Sequence, residues 1–504
     1  MAQQAWMYLD LNDGEGWRPL NDRSRDIAAL DSLSIQWGTD NCFDQPDPAV
    51  LSFRIYDKGG ILAGKAALLA GARVCVTCSS DPMYFELRDD ERAYKDMGDI
   101  TLRDLHNQVH YAPPAAVSFT QFTIFNGIIT TGGTVRHHKG DAWILNLSAT
   151  GISVLWKRLQ SQGPTSSDLR LDGYHWTGTP ADRLAELNRR AKAVGAPVAD
   201  ATGLILPPSL APYADDYPSQ LDLLHRMFAY SGRAPLWYET YEATATTLSY
   251  VMAGDLAQRA LDPLMHVHVG DGVTSHEVLD GAVVETSDPI EFDLPAPYTQ
   301  VVIHGHSVSL KDEHFEFGDT ETVQGDRDTL PAGLDATQRS ASVETDAIVS
   351  PVGVSPYDPW QPTAVQRAQI AQLLLTIDTR LRPRSIVFDS RHLAPFDYPY
   401  LFRAQPAMFL AFTHTIADRL PDMDGLPAIE GAWSLLGGTL TYDWHNGEPR
   451  FRHEAALWPH ARAAVTDPPT YAQLAPVSAT YDAVPDYLDI RELQTINTIQ
   501  KETT

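Results

Sequence analysis

The sequence is poor in cysteine, with only Cys42, Cys75 and Cys78 among 504 residues. Three thiols cannot build a disulfide framework for a chain of this length, so we expect synthesis in a reducing compartment. Long apolar runs are also missing, because no stretch approaches the roughly 18 consecutive apolar residues that a membrane-spanning helix needs. The first residues lack the basic-then-apolar pattern of a signal peptide. We therefore expect no membrane span and no export through the general secretory route.

Basic residues are scarce relative to acidic ones, since 38 Lys and Arg stand against 65 Asp and Glu, which gives a net charge of −27. Affinity for duplex DNA comes largely from Lys and Arg side chains that neutralise phosphates. The balance therefore excludes tight DNA binding, although it does not exclude DNA that passes nearby. The hydrophobic share of 43% is enough for a buried core. The length predicts about three domains.

Catalytic motifs are missing as well, since the sequence has no serine-hydrolase GxSxG elbow, no phosphate-binding P-loop and no zinc-binding HExxH. Cys75 and Cys78 form a lone CxxC. Residues three apart on a strand face opposite sides, so these two thiols would not converge on one ion. The carboxylate pairs at 89–90 and 215–216 are expected on the solvated face of an acidic protein. We therefore predict no catalytic residue, no cofactor and no metal site.

Three histidine pairs offer an alternative to that prediction, because closely spaced imidazoles on one strand face can hold a metal ion. The other interpretation is that they are polar residues on a solvated face, and 17 histidines in one chain make such coincidences common. The pairs are His137 and His138, His266 and His268 with Asp271 and His276 nearby, and His304 and His306.

Strand-like alternation is the main positive signal. Apolar and polar residues alternate with a period of two in runs such as 33–38, 50–57 and 142–147, and the glycine pair within 130–134 predicts a hairpin turn. Strands at this spacing predict a small antiparallel barrel. A second block of similar runs lies between about 383 and 458.

Helical signals occur in three segments, at 179–195, 219–232 and about 363–380. The first has Thr179 as a cap residue, Pro180 at the first helical position and Asp182 in the first turn. In the third segment, several apolar residues are expected to face a core. They are Val365, Ile370, Leu373, Leu374 and Ile377.

These signals together predict a mainly β protein with an α/β insertion, in which two related small β-barrel domains flank a mixed α/β domain. The predicted divisions are an N-terminal segment at 1–30, a first barrel at 31–159 with a loop excursion at 79–117, a mixed α/β insertion at 160–289, a region of strands, linker and helix at 290–380, a second barrel at 381–465 and a C-terminal tail at 466–504. The linker is expected at 324–362, where Asp, Ser, Thr, Pro and Gly are concentrated.

Aromatic residues lie within or beside the first strand block. Most are expected in the core, and outward ones could serve subunit contacts. They are Trp37, Phe53, Phe125, Trp143 and Trp156. The apolar, proline-broken stretch at 395–402 has two interpretations, an exposed interface or a loop anchor folded inward.

The order of these elements resembles that of a known family. Trp37-Gly38 ends one strand, Gln45-Pro46 precedes the strand at 49–57, and Phe125-Asn-Gly127-Ile128 precedes a strand that leads to Leu155-Trp156. This order is similar to the opening barrel of minor tail proteins of actinobacterial siphophages, in the tail hub class. The second block, from residue 382 onward, looks like the second barrel of that class, and residues 221–232 are similar to its inserted domain.

The resemblance implies a structural virion protein of the tail tip, assembled in the host cytoplasm, and no enzymatic activity. Hubs of this class are homotrimeric rings that join the tail tube and the distal tail protein to the tail tip, near the tape measure protein. The resemblance further implies contacts with tail-tip or receptor-binding proteins, and DNA that is ejected through the ring without tight binding. The excursion at 79–117 departs from the pattern, and the few residues after 465 leave no room for a fused cell-wall hydrolase.

Two other classes of function stay open on the residues alone. A receptor- or glycan-binding tail-tip protein is one alternative. A peptidoglycan-cleaving enzyme is the other, because 11 Trp and scattered carboxylates would suit sugar stacking and acid–base chemistry.

Overall fold

The structure is a computed structural model, and it describes about half of the chain. The described residues are 4–14, 16–20, 28–39, 44–79, 85–87, 109–111, 121–130, 133–138, 142–159, 180–204, 219–228, 235–242, 245–252, 265–269, 276–277, 283–284, 292–293, 298–311, 314–325, 340–345, 362, 364–375, 382–383, 385–391, 395, 399–403, 408–414 and 429–459. Within these ranges, no helix is long and apolar enough to cross a membrane.

Strands dominate the described residues. They are β1 Gln4–Asp10, β2 Trp17–Pro19, β3 Ala28–Gly38, β4 Asp47–Lys58, β5 Arg73–Ser79, β6 Phe85–Leu87, β7 Val109–Tyr111, β8 Gln121–Ile129, β9 Thr134–His137, β10 Ala142–Gly151, β11 Val198–Ala199, β12 Pro235–Glu242, β13 Ala245–Met252, β14 Met265–Val269, β15 His276–Glu277, β16 Val283–Val284, β17 Phe292–Asp293, β18 Gln300–Lys311, β19 His314–Gln324, β20 Ser340–Thr345, β21 Arg382–Pro383, β22 Ser385–Asp389, β23 Met408–His414, β24 Ile429–His445 and β25 Glu448–Pro459.

Helices are fewer and mostly short. They are α1 Ile61–Gly64, α2 Ala66–Leu69, α3 Val154–Arg158, α4 Pro180–Ala193, α5 Gln220–Phe228 and α6 Ala364–Leu375, together with a 3-10 turn at Pro399–Phe402.

One curled, mainly antiparallel sheet of 13 strands forms a half-barrel. Its strands follow the order β14-β23-β24-β3-β4-β10-β8-β5-β1-β2, with β25 and then β22 on the other side of β24, and β9 beside β10. We call β1–β5 with β8–β10 the N-terminal block, and β22–β25 the C-terminal block. The predicted mainly β fold class is confirmed. The division into two related barrels and the predicted domain boundaries stay predictions.

Strand β4 shows why this sequence forms a sheet with one buried face. Leu51, Phe53 and Ile55 are buried, whereas Ser52 and Arg54 between them are exposed. Successive side chains of a strand point to opposite faces, so this alternation puts Leu51, Phe53 and Ile55 on the core side, while Val50 and Tyr56 lie on the other face and are exposed. Burial of each large apolar side chain contributes about 1.5–3 kcal/mol to folding.

The core under this sheet receives side chains from both blocks. Its members include Ile35, Phe53 and Leu145 of the N-terminal block and Phe388, Leu440 and Phe451 of the C-terminal block. The predicted N-terminal segment also belongs to this sheet, because it supplies β1, which pairs with β5. Within the described residues, the two blocks therefore share one sheet and one hydrophobic core.

A second hydrophobic core lies where the sequence predicts a mixed α/β insertion. Strands β11, β13 and β12 form a three-stranded sheet, against which α4 and α5 pack. Helix α5 begins at a reciprocal cap, because the Ser219 hydroxyl accepts a hydrogen bond from the Asp222 amide, and the Asp222 carboxylate accepts one from the Ser219 amide. Trp156 of α3, which follows β10, completes this core. We call these elements the insertion unit.

A third small sheet contains β19, β18 and β20 and packs on α6 through Val301, Ile303 and Ile370. Strand β20 lies within the predicted linker at 324–362, so part of that segment is a strand that pairs in parallel with β18. In α6, Ile370 and Leu374 are buried as predicted, but Val365 is 62% exposed. The expectation for Val365 is therefore wrong, because the packed side of the helix takes Gln366 instead.

The predicted loop excursion at 79–117 is described only in part. Within it, β6 and β7 pair as two antiparallel strands, so this segment contains regular structure as well as loop. The carboxylate pairs at 89–90 and 215–216 lie outside the described residues, as do Asp271 and Ile377.

Candidate functional site: the junction of the two blocks

Strand β24 joins the two blocks, because one of its edges changes partner along its length. Residues 429–435 pair with β23 of its own block, and residues 437–442 pair with β3 of the N-terminal block. The register of the β24–β25 pairing shifts between Leu435 and Gly437, which marks a β-bulge at the point of change. Strand β25 covers the opposite edge of β24 on both sides of the bulge. A single continuous backbone therefore belongs to both blocks.

Two glycines permit this close approach of backbones. Gly38 has φ +82°, and a Cβ placed there would overlap the carbonyl oxygen of Leu436. A Cβ on Gly437 would lie 2.9 Å from the carbonyl oxygens of Trp37 and Thr39. The Thr39 amide donates a hydrogen bond of 2.9 Å to the Leu436 carbonyl. Only a residue without a side chain fits at these two positions.

A buried histidine connects the blocks just beneath the glycines. Trp37 Nε1 of β3 donates to His453 Nε2 of β25 at 3.0 Å, and His453 Nδ1 lies 2.6 Å from the Leu401 carbonyl oxygen. An indole N–H can only donate and a carbonyl can only accept, so His453 carries its proton on Nδ1 and is neutral. Burial lowers the pKa of His453 to about 4, although the hydrogen bond to Leu401 acts in the opposite direction.

An ionic cluster holds the outer end of the C-terminal block. Asp389 of β22 is almost fully buried and accepts hydrogen bonds from Arg391 and Arg450. Burial alone would raise the pKa of Asp389, but these hydrogen bonds outweigh it and hold the pKa at about 2. The carboxylate is therefore ionised and paired, which fixes β22 against β25.

The insertion unit is attached to the N-terminal block by a buried carboxylate. Glu239 of β12 accepts a hydrogen bond of 2.5 Å from the Ser153 amide and one of 2.8 Å from the Tyr241 hydroxyl. Burial raises the pKa of Glu239, and the hydrogen bonds from Ser153 and Tyr241 oppose that shift. Gly151 leaves the room that this carboxylate occupies, since a Cβ there would overlap Glu239 Oε2. The contact is polar, specific and inaccessible to solvent.

Gln45 makes a second attachment between the same two parts. Its Nε2 donates to the Pro235 carbonyl at 2.7 Å, and its Oε1 accepts from the Trp237 amide at 3.2 Å. The side-chain amide thus pairs with the β12 backbone as a neighbouring strand would. A small cleft of about 30 Å³ lies beside it, lined by residues of both parts that include Asp47, His225 and Glu239. This volume suits about one water molecule.

The two cysteines on β5 face opposite sides, as the strand geometry predicts. Cys75 packs with Trp6 and Tyr8, whereas Cys78 belongs to the main core. Neither thiol is part of a disulfide, and both are buried. Burial raises their pKa values, which makes them less reactive than an exposed thiol.

The histidines of these pairs lie on strands, except His138, which directly follows β9, and those whose side chains are described face solvent. His304 and His306 of β18 lie 3.7 Å and 3.1 Å from carboxylate oxygens of Glu321 and Asp319 on β19. His137 packs edge-on against Trp143, at 4.8 Å between ring centres. Across the described ranges, no group of three or more His, Cys, Asp and Glu side chains is placed to hold a metal ion.

The aromatic residues selected from the sequence lie mainly in the cores. Trp37, Phe53, Phe125 and Trp156 are buried, and Trp143 is partly buried against the main core. For the stretch at 395–402, Leu401 and Phe402 are buried, which agrees with the loop-anchor interpretation at those positions.

Sequence reasoning missed His453 and Glu239. His453 pairs with a tryptophan 416 residues away in the chain, and Glu239 with an amide 86 residues away. No sequence motif identifies either residue. The one feature that could have indicated them is that each is an ionisable residue at a core-facing position of a strand.

No protein-family model matches the sequence, and no curated protein matches it. A tail protein from Neisseria meningitidis MC58 has a similar structure, with 12% identity and a TM-score of 0.45 over 90% of this chain and 97% of that chain. Prophage tail protein gp18 from Listeria monocytogenes EGD-e is 7% identical, with a TM-score of 0.37 over 90% of this chain and 94% of that chain. The E. coli c3393 protein is a type VI secretion component with structural similarity to T4 tail proteins gp27 and gp5. It is 8% identical, with a TM-score of 0.35 over 86% of this chain and 75% of that chain. All three TM-scores are below 0.5, so these likenesses establish neither family nor function.

Proposed function

We propose that this chain is a structural subunit of a phage tail, and more specifically a tail hub subunit. In this role three copies form a ring that joins the tail tube and the distal tail protein to the tail tip. The tape measure protein lies close to the ring, and tail-tip or receptor-binding proteins attach below it. DNA leaves the particle through the ring without being bound tightly.

The observation that carries this proposal is the shared strand β24. A hub has to transmit force and position between a tube above and a tip below, which requires a subunit that does not separate into loosely linked domains. In the described residues, β24 pairs with β3 and β23, and one core underlies both blocks. A subunit with one shared sheet and core suits a ring that bears load. Closing the ring also covers strand edges that would otherwise aggregate.

The charge of the chain supports the passage of DNA through the ring. A net charge of −27 opposes lasting retention of a polyanion. A change of shape at infection would then come from different contacts in the closed and open assemblies, and no bond chemistry is needed.

The proposal is tested by the mass of the purified full-length protein in solution and by its position in the particle. We expect a species of three times 55.6 kDa by light scattering coupled to size-exclusion chromatography at micromolar concentration, and antibody labelling at the tail tip in negative-stain images. A protein that stays monomeric at high concentration and is absent from purified tails would refute the hub assignment. A clear band on a cell-wall zymogram would instead favour the hydrolase alternative, and retention on whole host cells the receptor-binding one.

A further inference from the structure

The hairpin between β24 and β25 turns at an Asn-Gly pair. The last pair of the ladder is His445 with Glu448, so Asn446 and Gly447 alone form the turn. Both have positive φ, +52° and +84°, as a type I′ turn requires at its two central residues. Asparagine and glycine adopt this conformation at the lowest cost. The pair therefore suits the turn, but it also places two groups side by side that can react with each other.

These groups are the side-chain amide of Asn446 and the backbone nitrogen of Gly447. Attack of the nitrogen on the asparagine Cγ closes a five-membered ring. Glycine has no side chain to obstruct its nitrogen, and a Cβ placed on Gly447 would meet nothing within 4 Å. The hydrogen bond of such a turn joins the residues on either side of the pair, so it does not occupy the Gly447 amide. Residues 443–448 are all exposed, so water reaches the turn.

We propose that Asn446 is a site of spontaneous covalent modification, at which the folded protein converts asparagine to isoaspartate and aspartate as it ages. The bond from the Gly447 nitrogen to the Asn446 Cγ forms, the Cγ–Nδ2 bond breaks, and ammonia leaves with the proton of the Gly447 amide. Water then opens the resulting cyclic imide. Opening at the main-chain carbonyl gives isoaspartate, and opening at Cγ gives aspartate. The reaction needs only water, so it does not depend on the proposed hub function.

A second Asn-Gly pair in the same chain provides a matched control. Asn126 and Gly127 are the only other such pair in the sequence, and they lie in β8 between β5 and β10. Asn126 is 4% exposed, and its Nδ2 donates to the Ala245 carbonyl at 3.3 Å. Gly127 pairs with Val74 on one side and with Gly151 on the other. These strands must separate before the atoms can react, so we expect Asn126 to convert at least about a hundredfold more slowly than Asn446.

Isoaspartate at position 446 would change both the turn and its charge. The main chain then runs through the former side chain and gains a methylene group, which a two-residue turn cannot accommodate while keeping the closing pair of His445 and Glu448. The new carboxylate also lies close in sequence to the exposed Asp443 and Glu448. Tyr442, where the strand enters the core, is buried. We therefore expect the damage to stay at the end of the hairpin and to leave the junction with β3 intact.

Ageing of the purified full-length protein tests the proposal. The protein is incubated in heavy-oxygen water at mildly alkaline pH, then digested in ordinary water and analysed by mass spectrometry. An isoaspartate-specific methyltransferase distinguishes the two products. We expect most copies to lose the Asn446 amide and to contain both isoaspartate and aspartate there, while Asn126 keeps its amide. Heavy oxygen in the products shows that conversion took place before digestion.

Two comparisons separate the effect of the fold from that of the dipeptide. In denaturant, both Asn-Gly pairs should convert at similar rates, because neither is then held by strands. The variant Asn446→Gln should stay unmodified at this position, since its longer side chain would have to close a less favourable six-membered ring. After ageing, backbone amides at 443–445 and 448 should exchange hydrogen faster in the wild type and at an unchanged rate in this variant.

An Asn446 amide that survives in the folded protein but is lost in denaturant would overturn the proposal, because the turn would then protect the residue. Aspartate without isoaspartate would also overturn it, since that result indicates direct hydrolysis and no cyclic imide. Equal conversion of Asn126 and Asn446 in the folded protein would contradict the selection of the site by the fold.

Discussion

Trp37 and His453 form a buried contact between the two blocks that depends on the His453 imidazole staying neutral. The neutral imidazole accepts from Trp37 through Nε2, so an added proton would leave two N–H groups facing each other. Around His453, the described neighbours on β3, β22, β24 and the 3-10 turn are Trp37, Phe388, Leu440 and Leu401. None of these four is charged, so an imidazolium would have no carboxylate to compensate it there.

We expect the protein to lose stability when the pH falls below neutral. The pKa of His453 is about 4 in the folded protein against 6.5 for a free histidine, so the unfolded chain binds more protons between these values. The stabilisation is complete above pH 6.5 and is lost as the pH falls to 4, at a cost of about 3 kcal/mol for this residue. Thermal unfolding of the wild type and of H453F, measured from pH 7.5 to 4, checks this.

The H453F variant should unfold at a lower temperature at pH 7.5, because Trp37 Nε1 loses its acceptor, but its unfolding temperature should change less with pH. W37F is the matched control, since it removes the donor and keeps the titrating imidazole. It should therefore retain the pH dependence. An equally steep profile in H453F would show that His453 is not responsible.

The junction of β3 with β24 depends on Gly38 of β3, where any side chain would meet the backbone of β24. We expect Gly38→Ala to cost more than about 3 kcal/mol, because positive φ is unfavourable for alanine and the new Cβ would collide with the Leu436 carbonyl. Gly59→Ala is a matched control with nearly the same φ, +84°, and nothing within 4 Å of the added Cβ. It should cost only about 1 kcal/mol.

Denaturant unfolding measures the loss of unfolding free energy in each of the two alanine variants. Hydrogen exchange shows which strands are weakened in Gly38→Ala. Amides of β3 and of the second half of β24 should exchange faster in Gly38→Ala, whereas the β12–β13 pair of the insertion unit should be unchanged. Equal effects of the two alanine variants would mean that the close approach at Gly38 does not limit the junction.

At the scale of elements, the sequence alone predicts those whose signals are local. The helix at Pro180–Ala193 follows from Pro180 at its first position and Asp182 in its first turn, and β4 follows from the alternation of Leu51, Phe53 and Ile55 with polar residues. Strand β20 could not be predicted, because Ser340–Thr345 has mostly polar residues and is held by pairing with β18. Val365 was placed wrongly because apolar spacing does not reveal which side of a short helix the neighbouring sheet will cover.

At the scale of the whole molecule, the sequence shows two strand-rich blocks but not their union. The pairing of β24 with β3 joins residues about 400 positions apart, and no local signal in either strand identifies its partner. The sequence therefore does not predict the junction at β24, for the same reason that it does not predict that the two blocks form one sheet. Long-range pairing depends on registers that no short window of sequence contains.

The shared core makes one further prediction, about a fragment that contains residues 381–465 alone. Two self-contained barrels would each fold in isolation. In the structure, β24 and β25 bury Leu440, Tyr442 and Phe451 in a core that also contains Ile35 and Phe53. The isolated fragment would expose these side chains and lose the β3 edge, so we expect no cooperative thermal transition by circular dichroism and strong binding of a hydrophobic dye. A fragment that melts cooperatively without dye binding would instead support an autonomous second barrel, and then β24 would be a contact between two domains and not the centre of one.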